Sequence, residues 1–165
     1  MWNLYVFLRM DNDRSLLLKA VKIANEGIGK GGGPFGAVVV KDGKIISEAY
    51  NSVTLNNDPT AHAEILAIRE ASSVLKSYDL KDCTIYSSCE PCPMCLGAIY
   101  WAGIKKVVYS SDRNDAARAG FSDSIIYKEI ILDPEEREID FLRIEEEEGE
   151  NVFKKWNDTK NKIPY

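Results

Sequence analysis

The dipeptide Asp42-Gly43 separates two apolar runs, GAVVV at 36–40 and KIISEAY at 44–50, and no other short stretch limits the fold as tightly. Both residues of an Asp-Gly pair tolerate positive φ, so the runs are predicted to close as a two-residue β-hairpin. Beyond the hairpin the pattern alternates. CTIYSS (83–88) and KVVYS (106–110) read as strands, and IDFLRI (139–144) reads as a fifth. Helical spacing of Leu17, Ala20, Val21, Ala24 and Ile28 predicts an amphipathic helix over about 13–29, closed by Gly29 and the glycines of 31–33. A second helix is predicted over about 60–76, with Ile65, Ile68 and Leu75 inward and Asp58 or Thr60 as cap, and a third over about 93–103. A hairpin followed by strands alternating with helices predicts an α/β fold, a three-layer α/β/α sandwich around a mixed five-stranded sheet.

The 165 residues, 45% of them hydrophobic, suit one compact domain with a real core, and no repeat or long linker divides them. A net charge of −5 argues against a nucleic-acid surface, which needs a dense Lys/Arg face. The run EEEEGE (145–150) repels RNA or serves as a solvated face. The opening MWNLYVFLRM is too short to span a membrane and lacks a basic flank and a cleavage site. Residues 1–9 therefore read as an extension of unknown role ahead of a domain over 10–165, with no membrane partner. All four cysteines (Cys83, Cys89, Cys92, Cys95) fall within one short stretch. A secreted disulfide scaffold would spread them along a shorter chain, so a reducing, cytoplasmic setting with metal or redox chemistry is expected.

In open α/β sheets, ligands sit at strand ends where helices begin. Two stretches fall at such places, TAHAE (60–64) and CEPCPMC (89–95). Alone, the C-x-x-C of Cys92 and Cys95 is equally a redox pair, half of a structural zinc site, or accident. A redox pair has no use for His62, the only histidine in the chain. A structural zinc needs four protein ligands. Cys89 is the candidate fourth, but Glu90-Pro91 holds that stretch extended, which favours a structural thiol; Cys83 reads as strand packing. Three ligands, His62, Cys92 and Cys95, leave a zinc position open to water, as catalysis requires. Glu64, near the same helix start, can take a proton from that water without binding the metal. Its bland alternative is a favourable charge at a helix N-terminus. Together, His62-Ala63-Glu64 and Pro91-Cys92-Pro93-Met94-Cys95 match the H-x-E…P-C-x-x-C pattern of zinc deaminases.

From about residue 10 onward the chain also resembles the bacterial guanine deaminases of the cytidine-deaminase-like fold. The likeness runs through GGPFGAVVVKDG (32–43), NDPTAHAE (57–64), TIYSSCEPCPMCLGAIYWA (84–102), DAARAGFSDSIIYKEI (115–130) and the terminal Tyr165. The resemblance implies hydrolysis of guanine to xanthine and ammonia, with C2 facing a zinc-activated hydroxide and Glu64 shuttling protons. It implies that Asn51 bonds the ring edge, Phe35 stacks on the base, the Ala63 amide touches substrate and Trp101 walls the pocket. Asp123 would accept from the base, and Tyr165 would close the site. Each has a plainer reading: Asn51 as a strand-end cap, Phe35 and Trp101 as core, Asp123 as a helix cap.

The same chemistry on guanosine, cytosine, cytidine or tRNA adenosine is the nearest alternative, and a non-catalytic zinc module a more remote one. The tail adds a last expectation. Val152, Phe153 and Trp156 form an apolar stripe on a helix of about 151–160 that is too short to stand undocked. The resemblance implies a homodimer in which segments 151–165 are exchanged, with the charged run at 145–150 crossing solvent as a linker.

Overall fold

The computed structural model describes residues 4–164, those at 4–9 by backbone alone. They fall into two compact units, with the chain boundary between Asp123 and Ser124.

The first unit opens with helix α1, Leu4–Gly29. It begins well ahead of the expected start near 13, because nothing between Leu4 and Asn12 interrupts a helix: there is no glycine, proline or capping turn. Strands β1 (Gly36–Lys41) and β2 (Lys44–Tyr50) then pair antiparallel. Asp42 and Gly43 both have positive φ, 50° and 73°, as a two-residue turn that continues the strand twist requires. A short α2 (Val53–Asn56) leads to α3 (Ala63–Leu75), β3 (Cys83–Cys89), α4 (Pro93–Trp101), β4 (Lys106–Ser111) and α5 (Arg113–Arg118).

The sheet order is β2-β1-β3-β4. β3 lies antiparallel to β1 and parallel to β4, so the sheet is mixed as expected. Period-two alternation divides β1 between two cores. Val38 and Val40 join Tyr86 against Leu16, Ala20 and Ile23 of α1. Ala37 and Val39 join Ile85 against Ala63, Ala67, Ile68 and Ala71 of α3 and Ile99 of α4. Helices on both faces complete the three layers.

The second unit contains α6 (Ser124–Glu129), one turn of 3-10 helix (Pro134–Glu136) and α7 (Glu147–Asp158). Three expectations are corrected. Residues 139–144 are exposed and form no strand, so the sheet has four strands and not five. Alternating apolar residues make a strand only where a neighbouring ladder takes up their N–H and C=O groups. Most of the acidic run is not linker, since α7 starts at Glu147; Glu147, Glu148 and Glu150 occupy its first turn, where the helix dipole favours negative charge. The cap of α3 is neither Asp58 nor Thr60 but His62. Asp58 instead accepts from the Thr60 amide and hydroxyl and stiffens the turn ahead of the helix.

Candidate active site

Two helix starts build the site. His62, the N-cap of α3, has extended backbone (φ −68°, ψ 152°) and stands just outside the helix. Its side chain is therefore free of the angular spacing that would send residues 62 and 64 apart within a helix. Cys92 is the N-cap of α4, also extended (φ −64°, ψ 168°), with Pro93 in the first turn. Proline suits that place because its missing N–H has no helical partner to lose. Cys95 follows one turn into α4 and is buried.

The Sγ atoms of Cys92 and Cys95 each lie 3.5 Å from His62 Nδ1. Tetrahedral zinc with Zn–S of about 2.3 Å and Zn–N of about 2.0–2.1 Å needs an S···N separation of about 3.5 Å. The three side chains thus fit one zinc ion with a fourth position left over, and they form a metal-competent group with all ligand atoms within 4.8 Å of one another. Cys89 is outside that group. Its thiol donates to the Asp112 carbonyl at 3.5 Å, and burial pushes it up to about 11. A module with four protein ligands therefore has no support from Cys89. Cys83 is buried in β3, as expected.

Among the protein groups alone, the site is electrostatically polarised. A hydrogen bond from Cys95 brings Cys92 down to about 4, with His62 adding to the effect against burial. The same bond, with burial and the nearby Glu64, pushes Cys95 up. His62 is raised, chiefly by its hydrogen bond to Cys92. Metal ligation takes both sulfurs as thiolates, so loading a metal releases protons from the site.

Glu64 lies in the first turn of α3 and is buried. Burial raises its carboxyl above the usual range. The Cys92 charge raises it further, while its own backbone N–H, Ser87 and Cys95 pull it back. Its Oε2 accepts from Cys95 at 3.5 Å, which places the carboxylate against the ligand cluster. Its Oε1 accepts from Ser87 of β3 at 3.1 Å. Sequence reasoning passed over Ser87. The signal was a polar residue sharing a strand face with Cys83 and Ile85 in CTIYSSC.

The loop that carries Cys92 is braced as well. Glu90 takes a two-pronged ion pair from Arg113 (Nη2–Oε1 2.7 Å), and its amide donates to Ser111 at the end of β4. This brace too was missed, since its partners are 23 residues apart.

Of the proposed substrate contacts, Asn51 is buried beside Gly33, where a Cβ would lie 2.9 Å from Asn51 Oδ1. Asn51 Oδ1 accepts from the Val53 amide at 3.3 Å, so the cap reading describes part of its role. The Asn51 amide donates to the Phe35 carbonyl at 2.9 Å, which joins the two residues at the ends of β1 and β2. The Phe35 ring is half-buried and meets Phe121 edge to face, with centroids 5.0 Å apart. Ala63 is buried as the first residue of α3, where its N–H has no carbonyl within the helix. Trp101 is the last residue of α4 and 74% exposed, at the end of the helix away from Cys92. Asp123 is half-buried immediately before α6. Tyr165 lies outside the described residues.

Residues 10–111 match the cytidine and deoxycytidylate deaminase zinc-binding region. The chain is 56% identical to guanine deaminase of Bacillus subtilis over 155 residues, 93% of this chain and 99% of that protein. The X-ray structure of guanine deaminase from Bacillus subtilis superposes with a TM-score of 0.90, covering 92% of this chain and 98% of the other. A tRNA-specific adenosine deaminase of Aquifex aeolicus is 47% identical over 92 residues, 56% of this chain and 61% of that protein. The matched region holds His62, Glu64, Cys92 and Cys95 together, and the chain belongs to the cytidine and deoxycytidylate deaminase zinc-binding family.

Proposed function

We propose that this chain removes the 2-amino group of guanine by hydrolysis, releasing xanthine and ammonia. One observation carries the choice of base. Similarity to the guanine deaminase of Bacillus subtilis extends over 93% of this chain, whereas similarity to the Aquifex tRNA deaminase stops at 56%. The net charge of −5 also disfavours a tRNA substrate.

Zinc on His62, Cys92 and Cys95 supplies the Lewis acidity that makes water a nucleophile near neutral pH. Glu64 moves the protons. It takes one from the attacking water and gives it to N3 of the ring, then takes the second from the added hydroxyl and gives it to the departing amine. Burial suits this work, because it keeps bulk water from competing for the protons Glu64 carries.

Phe35 stacks on the base, Asn51 bonds its edge and the Ala63 amide meets it as a fixed donor. Asp123 reads the base. Guanine presents N1–H and amino protons, which call for an acceptor-only partner; adenine's lone pair at N1 would leave that carboxylate unpaired, at a cost of about 1–3 kcal/mol. A wall at Trp101 requires that the exposed end of α4 be covered in the working assembly.

That assembly is a homodimer with exchanged C-terminal segments, each Tyr165 closing the partner's pocket. The support is physical. No described residue from Ser124 to Pro164 is buried, although Ile130, Ile131, Phe141, Leu142, Val152 and Phe153 all lie there. Apolar surface on that scale marks an interaction site. No helix among the described residues is long and apolar enough to cross a membrane. The four cysteines are free, which suits a reducing cytoplasm.

A substrate panel tests the assignment: guanine, guanosine, adenine, cytosine, cytidine, ammeline and tRNA, each followed by ammonia release. Guanine should be turned over fastest, with xanthine as product. Equal or better turnover of cytidine or tRNA adenosine overturns the choice of base and leaves deamination standing.

A further inference from the structure

We propose that Ser87 is the positioning residue for Glu64, fixing which carboxylate oxygen faces the reacting water. The inference rests on the role given to Glu64 above. The Ser87 hydroxyl donates to Oε1 at 3.1 Å, and Oε2 is turned toward Cys95 and the ligand cluster. Each oxygen thus has its own task. Oε1 is the anchor and Oε2 the working atom.

Three observations support the anchor. First, Ser87 cannot drift, because its strand is central: it pairs with Ala37 on one side and Tyr109 on the other. Second, the contact is dry. Ser87 is 1% and Glu64 5% exposed, so water does not compete for the bond. Third, Ser87 shares its strand face with Cys83 and Ile85, both in the core packed under α3. A hydroxyl there is costly unless it is bonded, and the bond it makes is to Glu64.

The other side-chain donor to Glu64 is the Cys95 thiol. A thiolate ligand has no hydrogen to give, so in a metal-loaded site the Ser87 hydroxyl remains as the side-chain anchor. Without it, Glu64 has a long flexible side chain and a vacated hydrogen-bond position, and its productive rotamer becomes one of several.

The test is a double-mutant cycle on the zinc-loaded protein, with whichever base of the panel is turned over. The variants are Ser87→Ala, Ser87→Thr, Glu64→Gln and the Ser87→Ala/Glu64→Gln pair, each also measured for zinc content and thermal midpoint. Ser87→Ala should lower kcat about tenfold, about 1.4 kcal/mol in barrier, with KM within about twofold and zinc retained. Ser87→Thr, which keeps the hydroxyl, should recover most of the loss. In the Glu64→Gln background, Ser87→Ala should cost nothing further.

Wild-type kcat in Ser87→Ala overturns the proposal. So does an equal loss in the Glu64→Gln background, or a loss that tracks zinc content. Should Ser87→Thr fold poorly, the alanine cycle decides alone. If Glu64→Gln is inactive while Ser87→Ala is silent, only this inference falls. If Glu64→Gln itself turns over normally, the role given to Glu64 falls and this inference with it, while the choice of base still rests on the substrate panel.

Discussion

From Met10 to Asp123 the chain encloses two cores, one on each face of the sheet; from Ser124 to Pro164 it encloses none. In the first region Val38, Val39 and Ile85 are fully buried, while in the second Ile131 is 81% and Leu142 85% exposed. The difference is one of architecture as well as composition, since the second region is also much richer in charged residues. A sheet with helices on both faces gives the inward apolar side chains of strands and helices partners within their own unit. The helices α6 and α7, of six and twelve residues, are at or below the length at which an isolated helix holds in water. The first region therefore supplies its own stability and all three zinc-competent side chains, and the second needs a surface beyond itself.

The largest effect expected from breaking that contrast lies at Glu64. Glu64→Gln keeps shape and zinc but removes the proton shuttle, and steady-state kinetics should show kcat reduced about 10²–10⁴-fold. Near wild-type turnover would mean that another group carries the protons. A core deletion comes next. Ile85→Ala removes a fully buried side chain shared by β3 and the α3 layer, and should cost about 2–5 kcal/mol in chemical denaturation. Loss of the metal belongs at the same level: Cys92→Ser should lose zinc by elemental analysis and lower the thermal midpoint, because binding and folding are coupled.

The tail gives smaller and more discriminating readings. Deleting residues 161–165 should lower catalytic efficiency on guanine and leave the zinc in place, with mass in solution reporting whether a dimer forms. An unchanged efficiency, or a full-length protein that is monomeric at micromolar concentration, would make the tail a simple chain end. The smallest effect sharpens the contrast most. Leu142→Ala, at an 85% exposed position, should change the stability of the isolated chain by less than about 0.5 kcal/mol. The same substitution should weaken the proposed dimer, read as a shift in dissociation with dilution. A loss comparable to Ile85→Ala at all concentrations would show that the tail docks within its own chain.

How much was legible beforehand follows the same division. The hairpin at Asp42-Gly43 was readable because its cause is local: two residues that accept positive φ between two apolar runs. Cys92 and Cys95 were readable because metal ligands at a helix start keep a fixed short spacing, and His62, 30 residues from Cys92, through the short H-x-E pattern it shares with Glu64. Residues 139–144 were misread as a strand because alternation states which face is apolar but not whether a neighbouring strand is present. For Ser87 the sequence offered only a polar residue on an apolar strand face; its partner, 23 residues away on another element, was not readable. Trp101 shows the same limit, as its apolar surroundings suggested core and the fold leaves it exposed.

The sequence by itself determined which side chains are available for zinc, which carboxylate stands beside them, and the order of helices and strands. These depend on residue type and on separations of a few positions, where covalent geometry leaves little choice. Only the tertiary structure decided that His62 stands outside its helix as a cap and that Ser87 meets one oxygen of Glu64 while the ligand cluster faces the other. It likewise decided that the apolar residues beyond Ser124 are left uncovered by their own chain. Those outcomes depend on how separate elements pack, and packing is a property of surfaces brought together from distant parts of the chain.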